Sequence, residues 1–159
     1  HITLVRNAIS DLLRTLGKES GSVDNDVLTQ KKSEQEEALE NLRTVLIVKE
    51  RQFGTAHVST VTTYLDIASL LQEQGKHEEA VDYFVKALGA KEQSLARDHL
   101  DVAKLSCKVG LLLREQGKQE QAVEYLRKAV VGATAAGSGP DALTYQGHLD
   151  AMNQNDPRS

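Results

Sequence analysis

The sequence is short of several residue types, and each shortage excludes a class of structure or site. Its 159 residues include a single cysteine, Cys107, which rules out a disulfide framework and any multi-cysteine zinc or iron–sulfur site. There are two prolines and no tryptophan, and aromatic residues make up only 4% of the chain. Because strands favour aromatic and β-branched residues, whereas Ala, Leu, Glu, Gln and Lys favour helices, this composition predicts a helical protein.

The sequence also lacks an excess of positive charge and a long apolar run. The formal net charge of −4 argues against a general nucleic-acid binder and against an anionic membrane surface as partner, since both attract basic segments. No run of about eighteen apolar residues is present, so no membrane-inserted helix is predicted. His1 to Arg6 lack a charged start followed by an apolar stretch, so no signal peptide is predicted. The sequence begins at His1 and is expected to be a fragment, a tagged chain or a processed chain; a cytoplasmic location is the default, with a processed organellar chain as the alternative.

An internal repeat determines the predicted architecture. The segment Gln74–Tyr83 recurs as Gln116–Tyr125, an offset of 42 residues (116 − 74), and Glu36-Glu37-Ala38 aligns with Glu78-Glu79-Ala80. Apolar residues recur at three- and four-residue steps within 58–74 and 77–95, which predicts two amphipathic helices. Gly75 and Gly117 lie where the first helix of each pair should end. The repeating unit is therefore a helix, a glycine turn and a second helix, and neighbouring units must stack to bury both faces.

The first copy of the unit differs in spacing. Leu70-Leu71, followed by Gly75-Lys76, matches Leu12-Leu13 followed by Gly17-Lys18, at an offset of 58 residues (70 − 12) instead of 42. The excess predicts an insertion after Lys18. Residues 20–35 are rich in Gly, Ser, Asp and Asn, which favour turns, so an inserted loop is predicted there, with an early turn of the next helix at its end.

This pattern resembles the tetratricopeptide repeat. The family's second-helix positions fall on Ala80, Phe84 and Ala87, on Ala122, Leu126 and Ala129, and on Ala38, Leu42 and Val45. Its small first-helix residue falls on Ala68 and Gly110, and its large leading residue on Tyr64 but on Ser106 in the third copy. The 42-residue period resembles the longer repeat of kinesin light chains, although Val58 and Leu100 stand where that repeat has Pro.

The resemblance implies an all-α fold, an α-solenoid of three antiparallel helix hairpins with a C-terminal capping helix. We expect one domain over residues 1–155. Its parts are hairpin 1 at 2–56 with the inserted loop at about 20–35, hairpin 2 at 57–98, hairpin 3 at 99–136 and the capping helix at 140–152. Within hairpin 1 the helices are expected at Ile2–Leu16 and roughly Ser33–Phe53. A tail follows at 153–159.

The residues that could act as metal ligands, nucleophiles or phosphate-binding groups are better explained by roles in folding. His57, His99 and Asp141 share one repeat position, but neighbouring helix axes lie about 8–10 Å apart whereas zinc needs ligand atoms at about 2 Å, so a metal site is not expected. Cys107 could act as a nucleophile only beside a His that lowers its pKa, and a small buried or groove-lining residue is the preferred interpretation. The glycines lack the setting of a phosphate-binding loop. We expect no metal, no cofactor and no enzymatic activity.

The resemblance also implies that the first helices line a concave groove that binds a partner. Its positions fall on Asn7, Asp11 and Arg14 in hairpin 1, on Thr62, Leu65, Asp66, Ser69 and Gln72 in hairpin 2, and on Lys104, Cys107, Lys108, Leu111 and Arg114 in hairpin 3. With Asp11 and Asp66 at one end and Lys104, Lys108 and Arg114 at the other, the groove is suited to an extended segment whose acidic residues point toward hairpin 3. The alternative is an ordinary solvated helix face. Asp11 and Asp66 also replace the Asn residues of the subtype that grips a C-terminal carboxylate, so that role is not expected.

Two functions follow from the sequence. The first is a non-enzymatic adaptor that binds a peptide or helix of a protein partner in the groove. The second is an architectural subunit of a larger assembly that makes contacts through its convex face, its ends or the inserted loop.

Overall fold

The structure, a computed structural model, describes residues 3, 5–9, 20–94 and 99–155, with the side chains of 20–24 excepted. The described residues contain helices and turns and no strand, which confirms the all-α class. Six helices follow residues 5–9, which are themselves helical; they are α1 (Ser20–Phe53), α2 (Val58–Glu73), α3 (His77–Gln93), α4 (His99–Glu115), α5 (Gln119–Ala135) and α6 (Gly139–Gln154). The chain forms two compact units, residues 1–40 and 41–159, and the single domain over 1–155 stays a prediction.

In the second unit the helices pack in chain order, α2 on α3, α3 on α4, α4 on α5 and α5 on α6. Their shared core is made largely of Ala, Leu and Val, with Phe84 and Tyr64 as its buried aromatic residues on α3 and α2. Thin layers between helices can be filled by small side chains, which is why so few aromatic residues suffice. The helix α6 buries Tyr145, Leu149 and Met152 and leaves Leu143 76% exposed, the pattern of a capping helix with one covered face.

Glycine turns end the first helix of each pair as the sequence predicts. Gly75 and Gly117 adopt φ values of +75° and +76°, in the left-handed region that side chains disfavour. In each turn the glycine N–H and the N–H of the following lysine bond back to the helix, to Gln72 and Leu71 in the first case. These two bonds satisfy carbonyl groups that the helix end leaves without partners, and they fix the reversal into the next helix.

The pair α4 and α5 makes the most extensive contact because glycine allows the two backbones to approach closely. A Cβ atom built on Gly110 would lie 2.9 Å from Leu126 Cγ and 3.2 Å from the Ala122 carbonyl oxygen. At the other end of the pair, a Cβ on Gly132 would lie 3.0 Å from Ala103 Cβ. The small residue predicted at Gly110 therefore serves helix packing.

The segment assigned to an inserted loop is helical, so that prediction is wrong. Helix α1 runs unbroken through residues 20–35 and ends at Phe53, where the second helix of hairpin 1 is expected to end. Ser, Asp and Asn favour turns, but Leu, Gln, Lys and Glu dominate from Leu28 onward and extend a helix at little cost. The Thr29 hydroxyl donates to the Asn25 carbonyl at 2.7 Å, which turns a polar side chain back onto the helix. Of the predicted first helix Ile2–Leu16, residues 2, 4 and 10–16 lie outside the described part of the chain.

A repeated lysine joins consecutive helix pairs. The Lys49 ammonium at the end of α1 donates to Thr63 Oγ1 at 2.9 Å and to the Ser59 carbonyl at 3.2 Å, both on α2. At the equivalent place in the last turn of α3, Lys91 pairs with Asp101 of α4 at 3.3 Å. Tyr64 of α2 also donates to the Glu50 carboxylate, and its pKa is raised by burial and by that carboxylate. Polar side chains therefore link the last helix of each pair to the first helix of the next.

Candidate functional site

The histidine at the start of α2 is a helix cap. His57 Nδ1 accepts a hydrogen bond from the Ser59 N–H at 3.1 Å, and its ring stacks on Phe53 with centroids 4.7 Å apart. This bond satisfies one of the N–H groups that a helix start leaves unpaired, as the structural interpretation of His57 predicts. His99 is the first residue of α4, and Asp141 accepts a hydrogen bond from the Ser138 hydroxyl at the start of α6. Within residues 25–94 and 99–155, no three side chains of the metal-ligating types come together.

Cys107 is buried in α4. Its side chain is 6% exposed, and burial raises the pKa of its thiol, although the charge of Arg114 opposes the shift. The pKa of Tyr145 of α6 is raised by burial first and by the Asp141 carboxylate second. A negative charge on the nearby Cys107 sulfur would raise it further. A nucleophilic cysteine needs the opposite shift, toward the thiolate. The preferred interpretation of Cys107 as a small buried residue agrees with its surroundings.

The predicted groove positions on α2 and α4 are mostly accessible; we call this set the α2–α4 surface. Asp66 and Thr62 of α2 and Lys104, Lys108 and Arg114 of α4 are exposed, whereas Leu65, Ser69, Gln72 and Leu111 are half-buried. Cys107 is the exception, because its side chain is covered. Asn7 is exposed, and Asp11 and Arg14 lie outside the described residues. The α2–α4 surface thus has a carboxylate on α2 and three cationic side chains on α4.

A cavity joins the two helices of this surface. It has a volume of about 250 Å³ and is lined by Val58, Val61, Thr62 and Leu65 of α2, Lys91 and Ser94 near the end of α3, Asp101 of α4, and Ala56. The Lys91–Asp101 ion pair forms part of its wall, and Val58 is 75% exposed at the surface. The lining combines apolar side chains with a charged pair, which is the general character of sites that bind small side chains or ligands.

Lys108 is held by an aromatic ring. Its ammonium lies 4.5 Å from the centroid of Phe84, a core residue of α3 that is 1% exposed. An ammonium over a ring face gains about 0.5–1 kcal/mol at an exposed site. The ring therefore restrains one cation of the α2–α4 surface while leaving its outer side accessible.

A second concavity lies between α3 and α5 and was not predicted from the sequence. It has a volume of about 470 Å³, and its lining includes Glu78, Asp82, Val81, Val85, Leu113, Lys118, Gln121, Glu124 and Tyr125. Lys118 lies 3.8 Å from the Glu78 carboxylate, an exposed pair that contributes little stability. Asp82 and Glu124 share a repeat position, and this equivalence is the signal that could have identified an acidic strip across the second helices.

The described residues 20–94 and 99–155 include no helix that is long and apolar enough to cross a membrane.

Comparisons with solved structures identify the fold. Two crystal structures of a Podosopora anserina protein, described as a kinesin light chain with nearly identical TPR-like repeats, are 19% and 20% identical to this chain, with TM-scores of 0.61 and 0.60. They cover 90% and 91% of this chain, which spans 66% and 67% of theirs. The structure of BtubC (BKLC) from P. vanneervenii is 14% identical, covers 77% of this chain at a TM-score of 0.54, and is itself 57% covered. At these identities the similarity shows the helical-repeat solenoid fold.

Comparison at the level of sequence identifies the family. No match was found among curated proteins. The tetratricopeptide repeat family model matches residues 28–93 and 63–130. Repeats of this type generally mediate protein–protein interactions and are typically non-enzymatic modules. This match extends across the helix pairs whose glycine turns and small packing residues are described above, and the chain belongs to the tetratricopeptide repeat family.

Proposed function

We propose that this chain binds an extended segment or a helix of a protein partner on the α2–α4 surface. The observation that carries the proposal is the cavity of about 250 Å³, because two of its lining residues, Thr62 and Leu65 of α2, also belong to the α2–α4 surface, and Asp101 of α4 completes the lining with Lys91 and Ser94. A partner side chain can be buried in the cavity while the rest of the segment follows the polar residues beside it. Binding of this kind concentrates affinity in a few buried anchor contacts.

Charge gives the bound segment a direction. Lys104 and Lys108 are exposed one helical turn apart on α4, Arg114 is exposed near its end, and Asp66 is exposed on α2. Acidic residues of a partner are attracted to α4 and repelled by Asp66, which orients the segment and speeds its association. Arg114 and the lysines act at the surface, so the attraction weakens as salt is added.

The architectural role is the second candidate, and the acidic concavity between α3 and α5 is the observation that favours it. Glu78, Asp82 and Glu124 border this concavity together with the apolar Val81 and Val85. A basic surface of a permanent partner could be accommodated there. Residues 20–35 are helical, so a contact of this subunit through an inserted loop is no longer proposed.

The two candidates are separated by affinity purification of the chain with mass spectrometry of the bound proteins. A partner of the α2–α4 surface should bind the wild-type chain and be lost from the Lys104→Glu/Lys108→Glu variant. The matched control is Lys86→Glu/Arg127→Glu, which makes the same change of charge at exposed positions of α3 and α5.

Partner binding by the three double variants separates the two candidate functions. Equal loss from both double variants indicates non-specific dependence on net charge and contradicts the proposal. Retention by Lys104→Glu/Lys108→Glu, with loss from Asp82→Lys/Glu124→Lys, supports the architectural candidate instead. Retention of the partner by all three variants contradicts both proposals.

A further inference from the structure

The place that forms the concavity between α3 and α5 has an equivalent one repeat earlier, and an arginine of the chain occupies it there. The Arg43 guanidinium of α1 donates to the Glu79 carboxylate of α3 at 3.1 Å. Both residues belong to the second compact unit, 41–159. The Nε atom of Arg43 is covered by protein although the side chain is partly exposed, so the guanidinium is sunk into the surface beside its carboxylate.

Between α3 and α5 both members of that ion pair are replaced. By the offset of 42 residues, Arg43 corresponds to Val85 and Glu79 to Gln121, and both replacements line the concavity. Valine is shorter than arginine and carries no charge, so it neither fills the space nor pairs with a carboxylate. Arginine returns at this position of the third copy, as Arg127. The second copy therefore lacks the cation that the first and third copies carry.

The carboxylates around this place are retained. Glu78 and Asp82 of α3 and Glu124 of α5 line the concavity and are exposed. Glu78 lies 3.8 Å from Lys118, whereas Asp82 and Glu124 form no ion pair with any other residue of 25–94 or 99–155. The lining thus has more negative than positive charge, and a cation placed there is attracted.

The tyrosine in the wall of the concavity also lacks the cation that its equivalent holds. In the preceding copy the Lys86 ammonium lies 5.0 Å from the centroid of the Tyr83 ring. Tyr125 corresponds to Tyr83 and Lys128 to Lys86, but Lys128 pairs with Glu92 of α3 instead. In the described part of the chain no cation lies over the Tyr125 ring. Two cation positions of the preceding copy are therefore open beside α5.

We propose that the concavity between α3 and α5 binds an arginine side chain of a partner protein. The guanidinium lies between the Asp82 and Glu124 carboxylates, as that of Arg43 lies beside Glu79, and the methylene stem packs on Val85. Arginine suits this site better than lysine because its planar group can bind a carboxylate through two bonds and can stack on a tyrosine ring. The inference rests on the architectural candidate, whose bound group it names, and is independent of the α2–α4 surface.

The primary test uses N-acetyl-L-arginine amide as the probe, with N-acetyl-L-lysine amide as the matched comparison. Each is titrated into the ¹⁵N-labelled chain at constant ionic strength, because exposed charges are screened by salt. The backbone signals of Val85 and Gln121 should shift and saturate. The arginine probe should bind about threefold more tightly than the lysine probe.

Three variants locate the bound guanidinium. Asp82→Asn/Glu124→Gln removes two charges with little change of shape and should weaken binding of the arginine probe by about fivefold or more. Val85→Arg should abolish it, because an arginine of the chain then occupies the site. Asp66→Asn/Asp150→Asn removes two exposed carboxylates from α2 and α6 and should bind the probe as the wild-type chain does.

A second test needs no ligand. Val85→Arg combined with Gln121→Glu restores at the α3–α5 junction the ion pair of Arg43 and Glu79. The double variant should unfold about 1–3 °C above the temperature expected from the sum of the two single changes. The control combines Gln121→Glu with Val131→Arg, an exposed position ten residues further along α5, and should show no such coupling.

Four outcomes overturn the inference: no saturable shift at Val85 and Gln121, equal binding of the lysine probe, unchanged binding by an Asp82→Asn/Glu124→Gln variant whose spectrum shows the wild-type fold, or no coupling in the double variant. The architectural candidate fails separately. If the probe binds as expected but purification yields no protein that Asp82→Lys/Glu124→Lys loses, the arginine site is supported and only the architectural role is contradicted.

Discussion

Gly110 of α4 packs against Leu126 of α5 so closely that a Cβ atom on the glycine would be 2.9 Å from the leucine Cγ. The Ala122 carbonyl oxygen, at 3.2 Å from the same point, belongs to the backbone and cannot move aside by a rotamer change. In hairpin 2 the equivalent residue of α2 is Ala68, which is fully buried. Hairpin 3 is therefore packed more tightly than hairpin 2, and it should tolerate less volume.

Gly110→Ala should destabilise the protein despite the better helix propensity of alanine. Alanine gains about 1 kcal/mol from propensity, whereas overpacking costs about 1–3 kcal/mol, so we expect a net loss of up to about 2 kcal/mol in the free energy of unfolding. Urea denaturation followed by circular dichroism measures it. The control is Gly89→Ala in the interior of α3, where no atom lies within 4 Å of the new Cβ; it should stabilise by about 0.5–1 kcal/mol. Equal stabilisation by both variants would mean that α4 and α5 do not approach closely.

Gly117→Ala should destabilise the turn between α4 and α5. The glycine has a φ of +76° and an open surrounding, so the cost is conformational and amounts to about 1–2 kcal/mol. Gly117→Asn should lose less, because asparagine tolerates the left-handed region better. Thermal unfolding compares the two variants with Gly139→Ala, a glycine outside that region with no neighbour within 4 Å, which should show no loss. A loss in Gly117→Asn as large as in Gly117→Ala would argue against the conformational explanation.

His57→Ala should remove the cap of α2. Loss of a side-chain acceptor at this position typically costs about 1 kcal/mol, and His57→Asn should retain most of that amount because its amide oxygen can accept the same bond. Chemical denaturation of the two variants measures the difference. His77→Ala is the matched control, since α3 is preceded by Lys76 and has no side-chain cap bond, and it should be nearly neutral. If His57→Ala is also neutral, the bond to Ser59 contributes no net stability.

Cys107 should react slowly with a thiol reagent in the folded protein and rapidly in urea. Burial raises the pKa of the folded thiol above its ordinary value of 9.0, so little thiolate forms at neutral pH. The unfolded chain then loses this proton at lower pH than the folded one, and stability is expected to fall as the pH rises above about 9. The alkaline loss of stability should be smaller in Cys107→Ala than in the wild-type chain. Rapid labelling of native protein at neutral pH would contradict the burial of Cys107.

The repeat in the sequence is sufficient to locate most helices of the second unit. Gly75 and Gly117 mark the helix ends because only a residue without a side chain enters the left-handed region freely, and this property belongs to the residue itself. Ala80, Ala87, Ala122 and Ala129 all prove to be fully buried, as their period predicts. The histidine before α2 likewise caps it, since capping depends on local backbone geometry.

The candidate site is less predictable. Thr62, Asp66, Lys104 and Lys108 are exposed, whereas Cys107 is covered by its neighbours, and the role of these residues in binding stays a prediction. The cavity beside Leu65 also depends on Lys91 and Ser94 from the end of α3, which no pattern within α2 or α4 could indicate. Pockets form where distant segments meet, so the residues at their walls carry no common spacing.

The sequence by itself determined the repeat length, the glycine turns and the small residues that allow helices to pack, because these depend on periodicity and on properties of single residues. Only the tertiary structure decided that residues 20–35 continue α1 as a helix, since turn-forming and helix-forming residues compete there and local preference does not settle the balance. It also decided which apolar residues are covered: Leu46 and Val45 are adjacent in the chain, yet one is 7% and the other 42% exposed. Burial depends on which helix packs against each face, and that information is not contained in the periodicity of one helix.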